Sequence, residues 1–162
     1  MNKEQTYQYL TEHGVRYETT EHGAVFNMEE LAAVELPYPE YDAKNLFVRD
    51  EKRRSYYLIT VRGGKRVDLK AFRREHGLKN LSFASPEELS GILGLIPGAV
   101  TPLGLLNDEE RRVKLYLDES FSGHVIGVHP NDNTATVWLA PEELVRLLRE
   151  HGNEVEIVAI QS

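Results

Sequence analysis

An uncharged segment rich in glycine and proline, residues 97–104, is the most unusual stretch of this 162-residue sequence. Its residues, Pro-Gly-Ala-Val-Thr-Pro-Leu-Gly, disfavour a long helix or strand. Such a loop can leave successive backbone N–H groups without an internal acceptor and aimed at an incoming oxygen. An oxyanion hole needs that arrangement, and losing one donor from it costs about 3 kcal/mol of transition-state stabilisation. The alternative is an apolar loop packed on the core, and the residues alone favour neither.

Lys44 stands at the entrance of a predicted strand, immediately before Asn45-Leu46-Phe47-Val48. An ammonium group in that position could hold a carbonyl or phosphate oxygen as a point charge. The commoner interpretation of a single lysine is an ordinary exposed side chain. Lys44 is therefore a candidate that needs a neighbouring site to support it.

Six histidines raise the question of acid–base or metal chemistry. The tripeptide Glu-His-Gly occurs four times, and three of the four copies close predicted helices. There the glycine suits the left-handed position after a helix, and the histidine lies near the negative end of the helix dipole. We therefore expect structural roles for His13, His76 and His151.

The remaining histidines are His22, His124 and His129. Their spacing matches no zinc motif, and the chain has no cysteine, so no metal site, cofactor or thiol nucleophile is predicted. His124 begins a predicted strand and suits a partly buried side chain. His129 ends that strand, precedes Pro130 and enters a polar turn, and site residues collect at such places. His129 is the histidine for which we predict a site role.

The elements that must position these residues are short and follow no regular βαβ order. Helices are predicted over residues 3–12, from an Asn27 cap to residue 34, from an Asp68 cap to residue 76, and from starts at Ser85 and Pro141. Strands are predicted over residues 17–20, 45–49, 56–62, 113–117, 124–128, 134–139 and 155–160. This mixture predicts an α+β fold, with a mixed, curved sheet and surrounding helices in a single domain over residues 1–162.

Charge is distributed unevenly along the chain. The formal net charge is −7, yet residues 49–79 contain eleven basic and four acidic residues, so this segment carries +7 and the remainder −14. A protein with one basic face can bind a polyanion while it stays acidic overall. The alternative is a solvated, charge-rich surface without a partner.

Neither a membrane segment nor a signal peptide is predicted. The uncharged, largely apolar stretch at residues 91–106 is too short to cross a bilayer and contains two prolines. The first five residues lack an apolar segment after a basic start. With no cysteine to form disulfides, these features suit a cytoplasmic protein without membrane contact.

Three blocks of sequence resemble the YbaK/prolyl-tRNA-synthetase-associated editing domain family, and they occur in the family's order over nearly the whole chain. They are Ala-Lys-Asn-Leu-Phe-Val-Arg-Asp at residues 43–50, Gly-Ala-Val-Thr-Pro at 98–102, and Val-His-Pro-Asn-Asp-Asn-Thr at 128–134. The nearest resemblance is to free-standing prolyl-tRNA deacylases of the ProX/PrdX type. That resemblance implies an editing hydrolase that cleaves the ester of proline tRNA mischarged with alanine.

The resemblance also implies residue roles. The loop from Gly98 through Ala99, Val100 and Thr101 to Pro102 would bind the aminoacyl group through backbone atoms, and Lys44 would anchor a phosphate or carbonyl oxygen. Asn45 and His129 would line the pocket and orient the ester, and water would be the nucleophile. No Ser-His-Asp arrangement is apparent for a covalent route. The basic segment 49–79 would contact the tRNA acceptor stem, and prolyl-tRNA synthetase is a further partner that the resemblance suggests.

Selectivity against proline requires steric exclusion, because one or two methylenes contribute only about 1–3 kcal/mol through favourable contact. Apolar residues ahead of Lys44 are candidates for the pocket walls: Phe26, Met28 and Leu31. The same spacing suits a helix packed on the core. Two functional alternatives stay open, namely editing of cysteinyl- or seryl-tRNA, and a module that binds aminoacyl-tRNA or an amino acid without hydrolysis.

Overall fold

The computed structural model describes residues 1–27, 29–30 and 34–161. The strands of this part are β1 Tyr17–Glu21, β2 Ala43–Asp50, β3 Tyr56–Arg62, β4 Leu81–Phe83, β5 Val113–Asp118, β6 Ile126–Val128, β7 Ala135–Leu139 and β8 Val155–Val158. Five of them form a sheet in the order β4-β2-β3-β5-β8, in which β2 is antiparallel to its two neighbours while β3–β5 and β5–β8 are parallel. The predicted α+β class with a mixed sheet is confirmed.

The other three strands form a separate antiparallel sheet in the order β1-β7-β6. The two sheets approach each other where β2 begins, and Asp42 forms an isolated parallel bridge with Gly127. The sequence predicted one sheet, and the division arises because β7 pairs with β1 and β6 instead of with the central strands. This approach places the end of β6 beside the start of β2.

The helices are α1 Lys3–Glu12, α2 Leu69–Glu75, α3 Pro86–Leu93 and α4 Pro141–His151, with short 3₁₀ segments at Pro39–Tyr41, Pro102–Asn107 and Glu119–Phe121. Asp68 accepts hydrogen bonds from the N–H groups of Lys70 and Ala71, which confirms it as the cap of α2. Ser85 and Glu88 form a reciprocal capping box on α3. In the described chain no helix is both long and apolar enough to cross a bilayer.

The three histidines assigned to helix ends lie there as predicted. Gly14, Gly77 and Gly152 have φ of 71°, 64° and 110°, the left-handed region that favours glycine. His13 and His76 are the C-caps of α1 and α2, and His151 is the last residue of α4.

Some predicted element limits differ from the structure. The strand expected at 124–128 begins at Ile126, because the chain turns there and the His124 N–H donates to the carbonyl of Phe121 at 3.0 Å. His124 is exposed, not partly buried, and its ring stacks on Tyr41. The closing strand ends at Val158. At the predicted helix 27–34, Asn27 accepts a hydrogen bond from the Glu30 N–H at 2.8 Å, while residues 28 and 31–33 lie outside the described residues.

The hydrophobic core fixes the segment that follows the glycine–proline loop. Leu103 and Leu105 of the 3₁₀ segment Pro102–Asn107 are fully buried with Leu144 and Leu148 of α4. Burying each such leucine stabilises the fold by roughly 1.5–3 kcal/mol. The loop therefore continues into a segment whose side chains are packed in the hydrophobic core.

Candidate active site

A small cavity lies where the start of β2, the glycine–proline loop and the end of β6 meet. Its volume is about 190 Å³, and it is lined by Val25, Phe26, Asn27, Ala43, Lys44, Asn45, Gly98, Val100 and His129. Six of these residues were predicted from the sequence as site residues, and the structure brings them together from positions up to about a hundred residues apart. The cavity is smaller than the roughly 300–1,000 Å³ of pockets for drug-sized ligands, so it suits a small group.

The remaining predicted residues do not line this cavity. Ala99, Thr101 and Pro102 are buried behind it, so their side chains support the loop instead of facing the hollow. Met28 and Leu31, predicted as pocket walls, lie outside the described residues.

Asn45 joins the central sheet to the loop. It occupies β2 opposite Thr60 of β3, whose hydroxyl donates to Asn45 Oδ1 at 2.7 Å. With the amide thus oriented, Asn45 Nδ2 donates to the carbonyl of Val100 at 3.2 Å. The amide oxygen and nitrogen are both engaged, and the loop is held against a rigid strand.

Thr101 forms a second clamp, between the loop and β6. Its hydroxyl donates to the backbone carbonyl of His129 at 2.6 Å and accepts from the Leu103 N–H at 3.3 Å. The side chain is fully buried. Thr101 therefore sets the distance between the loop and His129, a role that the sequence did not indicate.

Gly98 is required by both its backbone and its surroundings. Its φ of +89° lies in the left-handed region, and a Cβ built there would stand 3.0 Å from Cδ1 and 3.1 Å from Cα of Phe26. Phe26 thus packs directly on the loop backbone. Any larger residue at position 98 would push the two apart.

Part of the loop has open backbone donors, which is one of the two possibilities that the residues alone left open. Within the described chain, the N–H groups of Gly98, Val100 and Thr101 find no hydrogen-bond acceptor, whereas the Ala99 N–H donates to Ile96 O at 3.1 Å. Gly98 and Val100 also line the cavity. This part of the loop can therefore donate to an oxygen placed in the hollow.

His129 follows the last residue of β6, and its Nδ1 lies 2.9 Å from the carbonyl of Ala135. A carbonyl only accepts, so Nδ1 carries a proton, and Nε2 of the neutral ring, which has no hydrogen-bond partner among the described residues, can accept. Burial lowers the pKa of His129 below its usual value, although the Ala135 carbonyl acts in the opposite direction, and the nearby His22 lowers it further. The ring is therefore neutral at pH 7.

Lys44 is half-buried and lines the cavity. Burial lowers its pKa below the usual value, and the positive charge of Arg66 adds to this effect. Within the described chain no carboxylate acts on Lys44 to offset its charge. Its ammonium group is thus available for an anionic or carbonyl oxygen from a ligand.

Three wall residues were not predicted from the sequence: Val25, Asn27 and Ala43. Val25 is held by Asn133, whose backbone carbonyl accepts from the Val25 N–H at 3.2 Å and whose side-chain Nδ2 donates to the Val25 carbonyl at 2.7 Å. The polar turn at residues 131–133 was the available signal, because buried asparagine side chains commonly hold neighbouring backbone. Its partner could not be identified without the fold.

The basic segment 49–79 is only partly available for a ligand. Arg49 pairs with Glu88, Lys65 pairs with Asp118, and Arg62 donates to the carbonyl of Glu40. The other eight basic side chains make no ion pair among the described residues; they are Lys52, Arg53, Arg54, Arg66, Lys70, Arg73, Arg74 and Lys79. We call these eight residues the basic track.

One member of the track lies near the cavity and others lie far from it. Arg66 is close enough to affect the pKa of Lys44, and the turn that carries Lys52, Arg53 and Arg54 follows the opposite end of β2. At about 3.3 Å per residue, the strand from Lys44 to that turn spans roughly 20 Å. Basic side chains therefore occur near both ends of β2.

Comparisons with known proteins agree on one family for this chain. Residues 22–147 match the family model described as the aminoacyl-tRNA editing domain. The chain is 38% identical over 152 residues to the prolyl-tRNA editing protein ProX of Acetoanaerobium sticklandii, with 93% of both chains covered. It is 32% identical over 156 residues to prolyl-tRNA synthetase associated domain-containing protein 1 of Bos taurus, covering 91% of this chain and 88% of that one.

A solved structure shows the same fold. It is described as a candidate trans-editing enzyme for prolyl tRNA synthetase, and it superposes with a TM-score of 0.73 at 23% identity, covering 100% of this chain and 98% of the other. At that identity the superposition supports the architecture alone.

Proposed function

Because this chain belongs to the aminoacyl-tRNA editing domain family, we propose that it acts in trans to hydrolyse the ester of proline tRNA mischarged with alanine. The observation that carries the proposal is the single cavity that joins Lys44, the open donors of the loop, and His129. These groups supply a cation, oxyanion donors and a neutral imidazole within one small hollow. An ester whose carbonyl gains negative charge during hydrolysis needs that combination.

Substrate placement follows from the size and charge of the cavity. The aminoacyl group enters the hollow, and the terminal nucleotide stays at its mouth. The Lys44 ammonium then holds a carbonyl or phosphate oxygen, because in the described chain no carboxylate competes for it. Asn45 acts indirectly, since its amide is already committed to Thr60 and Val100.

Hydrolysis uses water as the nucleophile. The water oxygen attacks the ester carbon, and the carbonyl oxygen becomes negative while the N–H groups of Gly98 and Val100 donate to it. The bond between the acyl carbon and the ribose oxygen then breaks, and that oxygen takes up a proton, with the neighbouring ribose hydroxyl as a helper. His129 accepts a hydrogen bond through Nε2, either from the attacking water or from the amino group of the aminoacyl ester, and thereby orients it.

Selectivity is proposed to be steric. The lining consists of short or firmly held groups around Ala43, Val100 and Gly98. Phe26 and Asn45 hold the loop from two sides, which limits its ability to widen. A proline ring is bulkier than the methyl group of alanine, and we propose that contact with these held walls excludes it.

The tRNA body is proposed to lie along the basic track, with phosphates of the acceptor stem beside Arg66 and α2. Such contacts position the nucleic acid without reading its sequence. Prolyl-tRNA synthetase is the proposed source of the mischarged tRNA, which this protein would receive after its release.

The proposal is tested by incubating the purified protein with labelled proline tRNA carrying alanine, proline, cysteine or serine. We expect the alanyl ester to disappear and the prolyl ester to persist. Lys44→Ala should abolish the reaction, while Lys114→Ala, a lysine on β5 outside both the cavity and the basic track, should keep it. Preferential hydrolysis of the cysteinyl or seryl ester would show that this ester, and not the alanyl ester, is the substrate. Binding of the tRNAs without hydrolysis of any ester would show that the protein is a non-catalytic binding module.

A further inference from the structure

Phe26 is a large apolar side chain in an unusual place. It lines the cavity, yet 58% of its surface is exposed to solvent. Ile96, two residues before Gly98, is also 58% exposed, so apolar surface continues along the loop. Exposed apolar groups at the mouth of a small cavity indicate contact with something that the cavity does not hold.

Hydrogen bonds of the nearby backbone and packing of the side chain on Gly98 hold the ring of Phe26 in place. Its N–H donates to the carboxylate of Glu30 at 2.9 Å, and the preceding residue, Val25, is fixed in both directions by Asn133. The side chain packs on Gly98, where even a methyl group would be too close. Phe26 therefore offers a firmly placed ring with much of its surface open.

The size of the cavity indicates which part of a ligand meets that ring. About 190 Å³ accommodates a small acyl group but not the nucleoside to which it is esterified. The nucleoside must therefore lie at the mouth, where Phe26 stands. Bases stack on exposed aromatic rings through their flat faces, and this contact strengthens binding by roughly 5- to 150-fold.

We propose that Phe26 is the stacking platform for the terminal base of the tRNA acceptor end. This inference rests on the proposed function, because it takes the acyl group in the cavity to be esterified to a nucleoside. The ring recognises a flat base without hydrogen bonds, so it adds affinity and orientation with little choice among bases. Phe26 is a binding residue in this role, and the oxyanion donors carry the chemistry.

Steady-state deacylation of alanyl-tRNA for proline provides the first test. Phe26→Ala should raise KM about ten-fold with a smaller change in kcat, and Phe26→Trp should restore KM because it keeps a flat aromatic face. The matched control is Phe83→Ala, since Phe83 is 60% exposed on β4 and lies outside the cavity. An unchanged KM in Phe26→Ala, with deacylation intact, would overturn the stacking site alone.

A second measurement does not depend on catalysis. The Phe26→Trp variant places an indole at the mouth, while the natural Trp138 is buried. Titration with adenosine monophosphate should quench the fluorescence of Phe26→Trp and leave that of Phe83→Trp unchanged. Equal responses of the two variants would overturn the proposal, whereas failure to hydrolyse any mischarged tRNA would overturn the proposed function instead.

Discussion

Asn45 Nδ2 donates a hydrogen bond of 3.2 Å to the backbone carbonyl of Val100, across 55 positions of sequence. The hydroxyl of Thr60, which is fully buried, fixes the orientation of that amide from the neighbouring strand. The carbonyl of Val100 is thereby occupied. The central sheet holds the loop in the orientation that leaves its N–H groups open.

Thr60→Val should therefore weaken catalysis through Asn45, although Thr60 does not line the cavity. The substitution keeps the shape but removes the hydroxyl, so Asn45 Oδ1 loses its partner and the amide can rotate. We expect kcat for deacylation to fall about ten-fold and the free energy of unfolding to fall by about 1 kcal/mol. Thr60→Ser, which keeps the hydroxyl, should retain most of the activity. An equal loss of activity in Thr60→Val and Thr60→Ser would contradict this role of the hydroxyl group.

Gly98→Ala tests the close approach between the loop and Phe26. The new methyl group would be strained by the positive φ and would also press on Phe26. Gly123→Ala is the matched control, because Gly123 has a φ of 78° but nothing within 4 Å of a built Cβ. Urea unfolding should show about 1 kcal/mol of loss from backbone strain in both variants, with an additional loss and a large fall in activity only in Gly98→Ala.

Lys44 should set the alkaline limit of the reaction. Its ammonium is needed in the charged form, and both burial and Arg66 lower its pKa. As the pH rises through that lowered pKa, the rate corrected for spontaneous hydrolysis should fall, at a pH below the usual value for a lysine. Lys44→Arg should move this limit upward, because guanidinium stays charged above pH 12. A limit at the same pH in both proteins would assign it to another group.

Asp42, which precedes the cavity residue Ala43, should make the free energy of unfolding depend on pH. It is buried and bridges the two sheets through its backbone, and desolvation raises the pKa of its carboxyl group to about 7. The folded state thus keeps a proton that the unfolded state loses near pH 4. The associated stability is full at low pH and is lost as the pH rises through about 7.

Asp42→Asn should abolish this dependence. Relative to the natural protein, its free energy of unfolding should increase between pH 4 and 7 and then level off, by up to roughly 4 kcal/mol, since each pKa unit is worth about 1.4 kcal/mol. Denaturant titrations at several pH values measure it, with the exposed Glu119→Gln as control. If the difference in free energy of unfolding between Asp42→Asn and the natural protein is constant over this pH range, Asp42 does not titrate as expected.

The basic track should make substrate binding sensitive to salt. Released counterions accompany each phosphate contact, so log(kcat/KM) should fall linearly with log of the salt concentration. Replacing Arg73 and Arg74 of α2 with glutamine should reduce the slope by about one to two units if each contacts a phosphate. Replacing Arg149 and Lys114, which lie outside the track, should leave it unchanged. A flat salt response in the natural protein would remove the track from the binding surface.

Local sequence determined most of the secondary structure. The caps at Asp68 and Ser85 and the glycines that end three helices act between residues a few positions apart, so their pattern can be interpreted without the fold. The glycine–proline loop was identified as an oxyanion candidate for the same reason. The family resemblance then linked it to Lys44, Asn45 and His129, which the structure brings to one cavity.

Only the tertiary structure decided how these parts meet. Thr60 and Thr101 hold the loop through contacts that span 15 and 28 residues, and Asn133 holds Val25 across 108. The exposure of Phe26, the burial of Ala99 and the separation of the strands into two sheets likewise depend on packing between distant segments. Periodicity and capping report interactions along the chain, whereas these features are set by which distant surfaces exclude water together.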